Sequence, residues 1–269
     1  MDSAPPPLLT GLSVRLAARA NALDAYNTTS GLAPGHVQAN LVALDAAYAE
    51  DFAAFCAANP KPCPLLDRTA SGSREVKVAP GSDLATDVPR YREWTRGVAA
   101  AADVPDVSGR WTATTVGFLL GCSFSWESLL AEAGCVPRHV EERCNVPMFN
   151  TNIALAAVGP FGGTMVVSMR PYAPGKVETV RRITARFPLA HGAPIHVGDP
   201  AEIGISDVAA PDYGDAVTVN AGEVCCFWAC GVTPQVVLAE AKLPFAITHS
   251  PGHMFLCDTK TLTVEEVLS

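Results

Sequence analysis

Proline punctuates this chain more heavily than any other feature shapes it. Twenty-two of its 269 residues are proline, about 8% against roughly 5% in an average chain. Each fixes its own φ, gives up a backbone donor and biases its predecessor away from helix. Short elements joined by fixed turns are therefore expected, and 61–64 (KPCP) cannot be helical. No uninterrupted apolar run reaches the roughly 18 residues of a membrane-spanning helix. The longest candidates, at 116–120, 153–158 and 224–230, end at Gly, Pro or polar residues.

Hydrophobic residues make up 49% of the chain and charged ones 17%, the opposite of the balance that keeps a chain disordered. A mean hydropathy of +0.20 points to a well-filled core plus a subunit interface, hence a homo-oligomer. With Lys plus Arg at 19 and Asp plus Glu at 27, the formal charge is −8, so neither nucleic acid nor an anionic membrane is an expected partner. The first seven residues, MDSAPPP, lack the basic and apolar regions of a signal peptide, and a cytoplasmic location is expected. Nine cysteines in no framework spacing, with no C-x-x-C, agree. Most of these thiols read as buried small hydrophobes.

Residues 9–20 read as a short helix with Arg15 and Arg19 on one side. Leu41, Leu44, Tyr48, Phe52 and Phe55 recur at helical spacing before Asn59-Pro60. Residues 67–110 are expected to be an irregular surface excursion, and 112–120 and 126–133 two helices hinged at Gly121-Cys122-Ser123. Strands are expected at 164–169, 216–219, 224–229, 245–248 and 254–257, with helices at 177–187 and from a Thr233 cap to Lys242. The alternation predicts an α/β fold: one mixed β-sheet sandwiched by helices, with a helical N-terminal part packed on the same domain. Residues 1–269 are expected to form that single domain, and 1–14 a loosely ordered arm.

Eight segments are too polar and glycine-rich to be only core. In order they are 34–41 (PGHVQANL), 59–65 (NPKPCPL), 118–125 (FLLGCSFS), 145–148 (NVPM), 166–171 (VVSMRP), 191–194 (HGAP), 227–234 (FWACGVTP) and 248–254 (THSPGHM). In this order and spacing the chain resembles the D-glutamate cyclase family, from about Arg15 to Asp258. The resemblance implies dehydration of D-glutamate to 5-oxo-D-proline, the α-amine closing on the γ-carboxyl as water leaves. Two departures, His36 where an aromatic is expected and Phe149 where a tyrosine is expected, imply a shifted substrate within the class if those side chains border the pocket.

Such a cyclisation needs a carboxylate clamp, a base for the ammonium and a proton donor for the departing oxygen. Arg170 closes an apolar strand and suits the clamp by its planar fork; its alternative is a surface salt bridge. Arg143, Asn145, Asn150, Asn152, Ser123 and His191 are the other candidate substrate-binding residues, although asparagines and serines also cap loops. His191 with His196, and His249 with His253, sit on Pro/Gly loops, where an imidazole can shuttle protons. His253 is the preferred shuttle, with His249 the alternative. These spacings with Asp199 could also ligate a metal, but Pro251-Gly252 prevents the helical geometry that makes H-x3-H a metal signal; no metal or other cofactor is expected. Cys122 and Cys230 each stand beside glycine before an expected helix, which would lower a thiol's pKa, so both are candidate nucleophiles as well as candidate packing residues. No G-x-S-x-G elbow, dinucleotide fingerprint or P-loop occurs. The expected partner is a small acidic amino acid or related carboxylate. The competing functions are a cysteine-dependent amidohydrolase or acyl transferase on a small amide, and a non-catalytic protein binding a small dicarboxylate.

Overall fold

A computed structural model describes residues 9–24 and 26–261. Helix α1 (Gly11–Arg19) opens the chain with a capping box in which Thr10 and Ser13 satisfy each other's backbone donors. Its Val14 and Ala18 face inward, and the buried Arg15 guanidinium bonds both oxygens of Asp258 at 3.0 Å. The expected loose arm is thus corrected over residues 11–14, which are helical; its first eight residues lie outside the described ones.

The chain then lays down β1 (His36–Asp45), helix α2 (Ala49–Ala58), β2 (Leu65–Arg68), β3 (Tyr91–Thr95), β4 (Val98–Ala99) and β5 (Thr115–Gly121). Short helices α3 (Glu127–Glu132) and α4 (Arg138–Glu142) lead to a second group: β6 (Met148–Ala154), β7 (Thr164–Tyr172), α5 (Pro174–Thr184), β8 (His196–Val197) and β9 (Val224–Ala229). Helix α6 (Thr233–Ala241) returns the chain to the first group, where β10 (Ala246–His249) and β11 (Phe255–Lys260) complete it. The α/β class read from the sequence holds, with one refinement. The strands form two sheets, ordered β2-β5-β1-β10-β3-β4 with β11 also on β1, and β6-β7-β9-β8. Every named pairing is antiparallel.

Five expectations are corrected. Residues 115–121 are a strand, not a helix, and 36–45 are a strand ending where Asp45 caps the next turn through the Ala47 N–H. Both strands are buried on both faces, so they lack the alternation that marks a half-buried strand. Residues 67–110 are neither irregular throughout nor a surface excursion: they contain β3 and β4, which extend the first sheet. Leu84, Val88, Tyr91, Val107 and Trp111 pack with Ala39, Leu41, Leu119 and Phe255 as the core on one face of the first sheet. Residues 216–219 form no strand. Thr233 does not cap α6; its hydroxyl accepts from the Val166 N–H at 3.0 Å and ties the helix to β7.

On the other face of the first sheet, Val42, Leu44, Phe118 and Leu120 meet Phe52 and Phe55 of α2 and Val237 and Leu238 of α6. The second sheet packs Tyr172, Cys226 and Trp228 against α3 and α5. Its opposite face packs Phe149, Val167, Met169 and Phe227 against Ile203, Ile205 and Val217. Cys122, Phe124, Val146, Met148, Val166, Val232 and Met254 form the seam between the sheets, and the glycine-flanked segments converge there. Among the described residues no helix is long and apolar enough to cross a membrane.

Candidate functional site

Alternation along β7 turns Ser168 and Arg170 to the α3 side of the second sheet. There the Arg170 side chain is completely buried. One terminal nitrogen donates to Ser168 Oγ at 3.1 Å, the other to Ser123 Oγ at 3.0 Å and Glu127 Oε1 at 2.7 Å. Its guanidinium carbon lies 4.7 Å from the Trp126 ring centroid and 5.4 Å from that of Trp228, close enough for the ring faces to favour the cation. Glu127 also receives His139 Nε2 at 2.9 Å and the Ser30 hydroxyl at 2.7 Å. Burial alone would raise the Glu127 carboxyl, yet His139 and Arg170 hold it down at about 2. This is a closed charge centre. Arg170 is no surface salt bridge, and its fork cannot receive a substrate carboxylate without displacing Glu127 or the serines.

The glycine corners beside this centre are structural necessities. A Cβ on Gly231 would lie 1.9 Å from Asn40 Nδ2, and that amide donates to the Gly121 carbonyl at 2.8 Å. Asn40 thus bridges the corners that carry Cys122 and Cys230. Both cysteines were candidates for a depressed pKa. Burial instead pushes the Cys122 thiol well up and the Cys230 thiol to about 11, outweighing Arg170 nearby. At neutral pH both are thiols.

The candidate histidines divide by exposure. His191 is buried, donates from Nδ1 to the Lys61 carbonyl at 2.7 Å, and burial pushes it down to about 4. His249 is buried too; its Nδ1 accepts from the Leu41 N–H at 3.2 Å, its Nε2 has no partner, and its pKa falls to about 4 by burial. His253 differs. It borders an open pocket of about 320 Å³ shared with Asp24, Tyr26, Asn27 and Arg90. Its Nδ1 faces the Pro251 carbonyl at 3.3 Å. A carbonyl only accepts, so in that contact Nδ1 carries the hydrogen and Nε2 keeps a lone pair. Burial lowers its pKa, which keeps the ring neutral near pH 7.

The loop that presents His253 is fastened from three sides. The Gly252 carbonyl accepts from the Thr29 N–H at 2.8 Å and from the Thr28 and Thr29 hydroxyls at 3.0 and 3.2 Å. Gly252 has φ +88°, and a Cβ there would lie 2.5 Å from Asn145 Nδ2. Ser250 donates to Asp103 at 2.5 Å, and Asp103 pairs with Arg92 through two bonds at 2.9 and 3.1 Å.

The remaining candidates scatter. Asn145 is buried against this loop, with Nδ2 3.4 Å from the Pro251 carbonyl and Oδ1 unpartnered. Arg143 is exposed and lines a neighbouring pocket of about 320 Å³ with Ser30 and His139. Asn150 and Asn152 are exposed on β6; Asn150 takes its place through a backbone bond to Asp212, and Asn152 packs over Gly204. Neither contacts the charge centre or the His253 loop. Of the two departures, His36 is buried at the rim of a cavity of about 160 Å³ that reaches Gln38 and Glu127, and Phe149 is in the core of the second sheet. Glu127, His139 and Arg90 were missed in the sequence. Glu127 lies two residues beyond Ser125 in the GCSFS run and was the only carboxylate within reach of that segment, which is the signal that could have found it.

The profile of the D-glutamate cyclase family matches residues 116–258. The chain is similar to a Rubrobacter xylanophilus protein named "Putative hydro-lyase", 53% identical over 88% of this chain and 92% of that protein. A Bordetella pertussis protein of the same description is 52% identical over 92% and 89%. One from Bradyrhizobium diazoefficiens is 50% identical over 96% and 94%.

Proposed function

This chain belongs to the D-glutamate cyclase family, and from that premise we propose that it is a carbon–oxygen lyase converting D-glutamate to 5-oxo-D-proline by acid–base catalysis in the pocket of His253. The observation that carries the reading is that His253 borders an open pocket of about 320 Å³, while His249 and Cys122 are buried. Its neutral imidazole accepts a proton from the substrate ammonium through Nε2. The freed amine attacks the γ-carboxyl carbon, a C–N bond forms, and the C–O bond to one oxygen breaks. Both protons lost by nitrogen leave with that oxygen as water, so the substrate loses one H2O and nothing is oxidised or reduced. The raised thiols argue against a cysteine nucleophile, because the thiolate is the reactive form.

The test is direct. Purified protein incubated with D-glutamate should form 5-oxoproline, followed by NMR, and should form it faster than from L-glutamate. Formation of no product from either enantiomer would overturn the reading. Inactivation by thiol alkylation, prevented by substrate, would favour the cysteine-dependent alternative.

A further inference from the structure

The pocket in front of His253 contains a guanidinium whose present partner is a carboxylate from the same chain. The Arg90 carbonyl accepts from the Ser250 N–H at 2.8 Å, and the His253 N–H donates back to the Ser250 carbonyl at 2.9 Å. Arg90 and His253 are therefore held by the same short loop and line the same pocket. Arg90 Nη1 donates to Asn21 Oδ1 at 2.7 Å and to the Pro89 carbonyl at 3.0 Å, and Nη2 pairs with Asp24.

We propose that Arg90 receives the α-carboxylate of the acidic amino-acid substrate, and that Asp24 occupies this place until the substrate displaces it. The proposal rests on the reading above. The γ-carboxyl is consumed by ring closure, so a clamp must hold the carboxylate that survives in the product. Asp24 now presents such a carboxylate to Arg90. Its side chain is 66% exposed and that of Arg90 29% exposed, and an ion pair in that environment gains little over its separated partners. It opens easily. The closed Arg170 centre offers no comparable exchange, since its carboxylate partner is buried.

Steady-state kinetics with D-glutamate test the exchange. Asp24→Asn removes the competing charge and should lower KM by about two- to five-fold, the span of an exposed ion pair. Arg90→Gln should raise KM by about 10- to 100-fold, as expected for losing a charge-assisted pair, and Arg90→Lys should recover part of the loss. An active wild-type protein with KM unchanged in both variants would overturn the proposal while leaving the proposed reaction intact. If the wild-type protein does not turn over D-glutamate, the proposed reaction fails, and calorimetric titration with glutarate reads the subsite by itself. Tighter binding to Asp24→Asn and weaker binding to Arg90→Gln would uphold a carboxylate subsite; equal binding by all three proteins would overturn it.

Discussion

Arg170 with Glu127 and Arg90 with Asp24 are the same two functional groups in opposite surroundings. The first pair is packed against two tryptophans, with a histidine and three serines adding hydrogen bonds and only Arg170 Nε of the guanidinium left without a partner. The second lines an open pocket and is held at one end by a surface aspartate. In the closed centre Arg170 is fully buried and cannot be solvated if Glu127 leaves, so the pair acts as a fixture of the fold. In the open pocket water solvates whichever partner is released, so the pair is free to exchange. The difference assigns order to one arginine and recognition to the other.

His253→Asn should damage the open pocket most. Turnover is expected to fall by about 10²–10⁴, the span for one general acid–base group, with the thermal transition nearly unchanged. Full activity in the folded variant would remove His253 from the chemistry and leave His249 as the next candidate.

Arg170→Leu strikes the closed centre and should act on stability instead. Removing the buried cationic partner of Glu127, which keeps only His139 and Ser30, is expected to cost about 3–5 kcal/mol in urea unfolding, whereas Arg90→Leu should cost under about 1 kcal/mol. Equal losses at the two sites would erase the contrast between them.

A smaller and more gradual effect should appear with acid. The Glu127 carboxyl, near 4.5 when unfolded, is held at about 2 in the fold. A depressed folded pKa contributes stability that is fully present above the unfolded value and is lost as pH falls through the folded one. Unfolding followed between about pH 4.5 and 2 should therefore show stability declining in the wild type, and declining less steeply in Glu127→Gln. Parallel pH profiles would mean that Glu127 does not carry the charge of the closed centre.

What the sequence disclosed, and what it hid, divides along the same line. Residues 164–169, 224–229, 245–248 and 254–257 carry β-branched and apolar residues between turn signals, and strands stand there. Residues 115–121 and 36–45 deceived, because a strand buried on both sides has no polar face to alternate with. The spacing from Leu41 to Phe55 joined two elements across Asp45, where the side chain ends one and starts the next. At the site, the Pro251-Gly252 turn marked His253 as presented on a loop. Nothing local marked Arg170 as sealed, since its burial depends on Trp126, Glu127 and Trp228, brought in from two other segments. Arg90 carried no signal at all; only the bond from Ser250 places it beside His253.

The antiparallel pairing of β1 with β10, through Val42 and Thr248, sets a timetable for synthesis. About two hundred residues separate the partners, so a ribosome adding roughly 5–20 residues per second exposes β1 for roughly 10–40 seconds before its neighbour exists. Once β5 has been made, roughly a third of the way through that interval, β1 has it on one side and an open edge on the other. An unpaired, apolar edge is a template for the wrong chain, and pairings this distant in sequence close slowly. The nascent protein therefore passes through a long window in which a chaperone, or a cooler culture, should decide how much of it survives.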